Sequence, residues 1–283
     1  MKTSLTDYNT DIKNTWCPGC GNFNIHLALK QALVDLDKHP SEVVISFDIG
    51  CNGNGGDKIE GFRVKGLHGR AIPFAVGCHL ANRRMCVIAD IGDGGCLHEG
   101  IDHLIHAIRS NYDITLLIHN NENFALTTGQ ITSTTKKGKQ MYAFPFGKTE
   151  GDINIGELVL SLNPSFYAKG FSGDPIQLTQ IIKEGIKHKG FSVIEIIQLC
   201  PTYNPENSLD FLKERIAKVE KTDDLNLARK RVTNKDKIYT GIIYKNSKLK
   251  DYYSNLVSRN DIKTELVDEV KNYNVSNILN DLQ

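Results

Sequence analysis

The stretch 85–130, MCVIADIGDGGCLHEGIDHLIHAIRSNYDITLLIHNNENFALTTGQ, constrains this chain more than any other. Met85 to Ile91 is an apolar run of strand length, and Gly92-Asp93-Gly94-Gly95 breaks it. From Leu97 the apolar residues Ile101, Leu104, Ile105 and Ile108 fall at helical spacing, which predicts a helix with one buried face. Ile114 to Ile118 is a second apolar run, closed by Asn120-Asn121. Strand, helix and strand in succession predict a βαβ crossover and two parallel strands in one sheet. The glycine loop then sits at a carboxyl end, where open α/β sheets bind ligands.

The loop has chemistry of its own. Gly92 and Gly94 allow a backbone approach that a side chain would block. The following helix aims its positive N-terminus at the loop, which favours phosphate. Asp93 offers a carboxylate oxygen and Asn121 an amide oxygen from the end of the next strand. A hard cation such as Mg²⁺, which keeps positions free for phosphate oxygens, suits that pair. Gly-Asp-Gly followed at this distance by Asn-Asn resembles the thiamine diphosphate motif. The resemblance implies that Asp93, Asn121 and the carbonyl of Asn123 hold Mg²⁺ against the diphosphate.

Around this unit the chain reads as ordinary α/β. Helices are expected over Phe23–Leu36, Pro73–Asn82, Ile153–Leu162 and Pro175–His188, and strands over Val43–Phe47, Ser165–Ala168 and Phe191–Leu199. The expected fold is a parallel sheet flanked by helices, a thiamine diphosphate-binding fold, over residues 1–205. Residues 213–237 are crowded with charge and read as helix or linker, and Ile238–Tyr244 reads as an edge strand. Residues 206–283 are taken as a C-terminal extension. A formal net charge of +1 gives no case for nucleic acid or membrane partners. No apolar run approaches the roughly 18 residues of a membrane span. The polar start MKTSLTDYNTDIKN lacks a signal-peptide core, so the expected location is the cytoplasm.

In that compartment seven cysteines read as metal ligands, reactive thiols or small buried residues, not disulfides. Cys17 and Cys20 form a CxxC loop, Cys51 lies on the glycine-rich loop after the first strand, and Cys200 follows a later strand. If the strands are parallel these four thiols share one edge of the sheet. Four thiolates suit a [4Fe–4S] cluster or Zn²⁺, and spacing does not separate the two. Cys78, Cys86 and Cys96 read as small buried residues. His98, His103 and His106 read as packing or surface residues; the spacing of His98 and Glu99 with His103 is not that of a zinc protease helix.

The whole pattern resembles the β subunit of 2-oxoacid:ferredoxin oxidoreductases. WCPGCGNF (16–23), IGC (49–51), LHGRAIPFAVG (67–77), GDG (92–94), HLIHAIRSNYDIT (103–115), NN (120–121), LTTGQ (126–130) and CPTYN (200–204) carry the likeness over residues 14–205. It implies a [4Fe–4S] cluster on Cys17, Cys20, Cys51 and Cys200. It assigns thiamine diphosphate contacts to Ile49, Gly50, Cys51, Asn52, His68, Gly92, Asp93, Gly94, Gly95, Ala125 and Leu126. His68 and Arg70 are the candidate catalytic residues, Arg70 as a holder of carboxylate or phosphate. The implied reaction decarboxylates a 2-oxoacid to acyl-CoA and CO₂, with coenzyme A as acyl acceptor and ferredoxin as electron acceptor. The family also needs an α (or γα) partner, in an (αβ)₂ assembly, to supply the glutamate facing the aminopyrimidine; on this chain only Glu60 and Glu99 offer themselves. Three departures stand out: many relatives carry Asp at Gly95 and Lys at Thr128, and Asn52–Asp57 is longer and richer in glycine. Two other readings stay open, a non-redox thiamine diphosphate-dependent decarboxylase or lyase chain and a zinc-stabilised subunit without catalysis.

Overall fold

The apolar runs pair side by side. The computed structural model describes residues 2–259, 261–272 and 274–281. Its strands are β1 (Val43–Phe47), β2 (Phe62–Lys65), β3 (Cys86–Gly92), β4 (Thr115–Asn120), β5 (Phe166–Phe171), β6 (Ser192–Ile197), β7 (Ile216–Lys218) and β8 (Ile238–Lys245). They form one sheet in the order β2-β1-β3-β4-β6-β5-β8-β7. Neighbours from β2 to β5 run parallel, and β8 is antiparallel to β5.

The parallel strands are apolar on both faces because helices cover both. Successive residues go to opposite layers. Val44, Val87, Ala89, Ile91, Leu116, Ile118 and Val193 pack with Ala71, Ile72 and Leu104 on one side. Ile45, Phe47, Ile88, Leu117, Ile194 and Ile196 pack with Ile25, Leu29, Leu178 and Ile182 on the other. The helices are α1 (Asn22–Asp35), the short α2 (Gly50–Gly53), α3 (Ala71–Ala81), α4 (Ile101–Ser110), α5 (Ile155–Ser161), α6 (Pro175–Lys187), α7 (Leu209–Arg215) and α8 (Leu225–Val232), followed among the described residues by the short α9 (Leu266–Glu269) and α10 (Ser276–Asp281).

Three features differ from the expectation. The helix expected from Leu97 is in two pieces, a π-helical turn over Gly95–Glu99 and then α4 from Ile101. Such turns are rare and are found mostly at functional sites. Strand β2, with all four residues exposed, lies on the sheet edge and carries no burial pattern to read. Ile238–Tyr244 is not an edge strand: β8 lies between β5 and β7, and three-residue β7 takes the edge. So short a strand, set in a charged segment, leaves too little periodicity to detect. Val232, Ile243 and Tyr244 from beyond residue 205 join the same apolar layer as the parallel strands.

Candidate cofactor site

Strands β1, β2, β3, β4 and β6 each deliver a following segment to one edge of the sheet, and a cavity of about 690 Å³ opens there. Its wall contains Ile49, Gly50, Cys51, Asn52, His68, Gly92, Asp93, Gly94, Gly95, Asn121, Asn123, Ala125 and Leu126, together with His98, Glu99, His119, Phe144 and Gln198.

Asp93 is 1% exposed. Both Thr132 and Thr134 donate their hydroxyls to its Oδ2, Thr132 at 2.6 Å. Burial nevertheless pushes its carboxyl up to about 6, against the pull of those hydroxyls. Opposite it, Asn121 Oδ1 accepts from the Asn123 backbone N–H at 3.0 Å, and Asn123 Nδ2 donates to the Asn121 carbonyl at 2.7 Å. Glu122 between them takes a left-handed backbone (φ 61°), which bends the chain back at the strand end. Asn123 Oδ1 is buried with no hydrogen-bond partner. A costly buried carboxylate and an orphaned amide oxygen on one wall fit a hard divalent cation with oxygen ligands.

A buried polar chain runs from the wall into the sheet. His119 Nδ1 is 2.9 Å from Asn22 Oδ1, and Nε2 is 3.2 Å from the Asp90 carboxylate. Asn52 Nδ2 donates to the Asp90 carbonyl at 3.1 Å. This chain fixes the Gly50–Gly53 turn against β3.

Gly95 meets Asp48. A Cβ on Gly95 would lie 1.9 Å from Asp48 Oδ2, so an acid at 48 requires glycine at 95. Asp48 is fully buried, and burial pushes its carboxyl up to about 6; the amides of Ile49, Gly69 and Arg70 pull the other way.

The Leu67–Arg70 turn grips the end of the π turn. His68 Nδ1 lies 2.9 Å from Glu99 Oε1, and Arg70 Nη1 donates to the Glu99 carbonyl at 3.0 Å. Arg70 is thus engaged in holding backbone. Glu99 stands in the cavity wall, whereas Glu60 pairs with Arg63 at 3.2 Å. His98, expected as packing or surface, is also in the wall, edge-on to Phe124 with ring centroids 5.8 Å apart. The Thr132 and Thr134 hydroxyls carried no signal in sequence, because they lie 39 and 41 residues from Asp93.

The four expected cysteines come together. Cys20 N–H donates to the Cys17 carbonyl at 3.0 Å, and Gly21 N–H to the Leu199 carbonyl at 2.9 Å, which pins the CxxC loop to the segment before Cys200. A Cβ on Gly21 would lie 2.9 Å from Leu199 N, so this approach needs glycine. Trp16 Nε1 donates to the Cys51 carbonyl at 2.7 Å and ties the Cys51 loop to the segment that carries Cys17. Burial pushes the Cys51 thiol up to about 12, and negative charge on Cys20, Cys200 and Cys17 adds to the rise. Cys20 is also raised, by burial first and then by Cys200 and Cys17. Yet no three His, Cys, Asp or Glu side chains among the described residues close on a point that would hold a single metal ion. Cys78 and Cys86 are half-buried and Cys96 is buried.

Residues 48–196 match the family model described as the thiamine pyrophosphate enzyme C-terminal binding domain. Residues 200–260 match the C-terminal model of the pyruvate ferredoxin oxidoreductase beta chain. A 2-oxoacid:ferredoxin oxidoreductase subunit beta from Saccharolobus solfataricus is 41% identical over 213 residues, 73% of this chain and 68% of that one. The chain belongs to this β-subunit family. The 2-oxoglutarate oxidoreductase subunit KorB of Mycobacterium tuberculosis is 33% identical over 218 residues, 75% of this chain and 58% of that one. Among solved structures, 2-oxoglutarate:ferredoxin oxidoreductase from Magnetococcus marinus, with 2-oxoglutarate, coenzyme A and succinyl-CoA bound, aligns with a TM-score of 0.89 at 27% identity. That match covers 99% of this chain and 96% of the other. As a β subunit the chain is one part of a multi-subunit oxidoreductase. Among the described residues no helix is long and apolar enough to cross a membrane.

Proposed function

We propose that this chain is the electron-transferring β subunit of a cytoplasmic 2-oxoacid:ferredoxin oxidoreductase, with thiamine diphosphate and Mg²⁺ in the cavity and a [4Fe–4S] cluster on Cys17, Cys20, Cys51 and Cys200. The carrying observation is that Cys51 belongs to both groups: it lines the cavity and lies within electrostatic reach of the other three thiols. Thiamine diphosphate, when bound, supplies the electron sink for decarboxylation. Asp93, Asn121 and the Asn123 carbonyl would hold the magnesium ion. Gly50, Cys51, Asn52, Gly92, Gly94 and Gly95, which line the cavity, would take the diphosphate and thiazolium, with Ile49, Ala125 and Leu126 as apolar walls. His68, whose Nδ1 lies 2.9 Å from Glu99 Oε1 in the cavity wall, would be the group to exchange a proton with the substrate.

The reaction consumes a 2-oxoacid and coenzyme A, releases acyl-CoA and CO₂, and passes two electrons singly to two oxidised ferredoxins. Four cysteine thiolates suit a [4Fe–4S] cluster, and the oxidoreductase family of the chain favours that group over zinc. Residues 1–205 carry this site as one domain and 206–283 form a C-terminal extension, whose strands β7 and β8 lengthen the sheet. The α partner supplies the glutamate facing the aminopyrimidine.

The test is anaerobic purification of the chain with its α subunit, followed by assay of iron, acid-labile sulfide and zinc. The expected result is about four irons with matching sulfide per β chain, lost in Cys200→Ser, and ferredoxin reduction by at least one 2-oxoacid. Zinc without sulfide would refute the cluster.

A further inference from the structure

Behind Asp93 lies a buried lysine that the cofactor chemistry does not call for. Lys148 is 5% exposed, and no carboxylate lies within ion-pair distance of it among the described residues. Its Nζ instead donates to three backbone carbonyls, of Thr132 at 3.0 Å, Ser133 at 3.2 Å and Thr135 at 2.9 Å. All three ammonium donors are used on a single turn of chain. Burying an ammonium without a counter-charge is unfavourable unless every N–H is satisfied, so this geometry is narrowly defined.

The same turn faces Asp93 with its side chains. The Thr132 and Thr134 hydroxyls both donate to Asp93 Oδ2. Thr132 N–H donates to Thr135 Oγ1 at 2.7 Å, and Thr135 Oγ1 donates to the Glu122 carbonyl at 2.6 Å. Glu122 sits between Asn121 and Asn123. One turn therefore touches both halves of the magnesium site, and Lys148 clamps it from behind. Lys148 is anchored in turn, its N–H on the Lys139 carbonyl at 3.0 Å and its carbonyl on Gly138 N–H at 2.8 Å.

We propose that Lys148 is a positioning residue for the magnesium site: its ammonium gathers the Thr132–Thr135 carbonyls so that the hydroxyls of Thr132 and Thr134 hold Asp93 in ligand geometry before the ion arrives. This rests on the reading of Asp93 as a magnesium ligand. Loss of partners that orient a metal ligand typically lowers metal affinity 10–100-fold.

The experiment uses the αβ complex stripped of cofactor, with thiamine diphosphate binding measured calorimetrically across a series of Mg²⁺ concentrations. In Lys148→Met the Mg²⁺ concentration for half-maximal cofactor binding should rise at least tenfold, with cofactor affinity at saturating Mg²⁺ close to that of the unaltered complex. A purely structural role would lower the melting temperature and leave the Mg²⁺ requirement unchanged, and that result overturns the proposal. Where Lys148→Met does not fold, the double variant Thr132→Val, Thr134→Val removes the hydroxyls from Asp93 directly; the same rise supports the proposal and an unchanged requirement overturns it. If the unaltered complex shows no Mg²⁺-dependent binding, the reading of the site and the inference fall together; if it binds and the variants match it, only the inference falls.

Discussion

Ionised Asp93 is costly to bury, and a bound cation would offset that cost. Burial raises its carboxyl from the ordinary 3.8 to about 6, so at neutral pH the empty site carries a penalty of about 3 kcal/mol. Asn at this position keeps the shape, and its NH₂ can donate to the Thr132 and Thr134 oxygens. The Asp93→Asn variant of the cofactor-free complex should therefore be more stable than the unaltered protein. A gain of about 2–3 kcal/mol corresponds to roughly 5–10 °C in the melting midpoint for a chain of this size. The sign follows from proton binding. A carboxyl raised in the folded state binds protons more tightly folded than unfolded, so its burden is full above about pH 6 and vanishes as pH falls below about 4. The advantage of Asn should shrink over that window. Melting curves of both proteins at pH 7.5, 6, 5 and 4 measure it, and calorimetry should show Mg²⁺-dependent thiamine diphosphate binding abolished in the variant. Equal or lower stability of the variant at pH 7.5 would refute the argument that the site is strained toward its ligand.

Other outcomes follow from single contacts. Gly95→Ala places a Cβ 1.9 Å from Asp48 Oδ2 and should destabilise by about 2–4 kcal/mol; adding Asp48→Gly should restore most of the loss in a urea titration. Glu195, 2% exposed, accepts from Tyr167 Oη, from Asn120 Nδ2 at 2.9 Å and from Lys169 Nζ at 3.1 Å. Glu195→Gln should cost about 3 kcal/mol, the low end for a broken buried pair because Lys169 retains some solvent. In iron-free complex at pH 8, iodoacetamide should modify exposed Cys17 at least tenfold faster than Cys51, whose thiol burial holds near 12. Mass spectrometry of timed samples reads the order, and faster labelling of Cys51 would contradict it.

What the sequence reveals and what it hides follow from the range of the contacts. The β3–α4–β4 unit is legible because each of its signals is local: an apolar run, a glycine break, a 3.6-residue period. The convergence of Cys17, Cys20, Cys51 and Cys200 is legible through one further inference, that parallel strands end on one edge. The π turn over Gly95–Glu99 is not, because its apolar pair Cys96 and Leu97 fits an unbroken helix equally well; only the packing of Gly69 against Glu99 and Gly100 shows the offset. Nor is the clamp on Asp93, whose parts lie on a segment rich in hydroxyls that composition alone leaves undecided between ordered and flexible. Lys148 is the sharpest case. In sequence it is one lysine among many; in the fold it is a buried ammonium closed on three carbonyls. The Gly95 departure resolves the same way. Beside the glycine loop of β3, the Asp48 carboxylate at the end of β1 abuts position 95. An acid beside the glycine loop is thus supplied by the neighbouring strand, and it leaves no room for a side chain at 95, a coupling between two positions 47 residues apart that no local pattern displays.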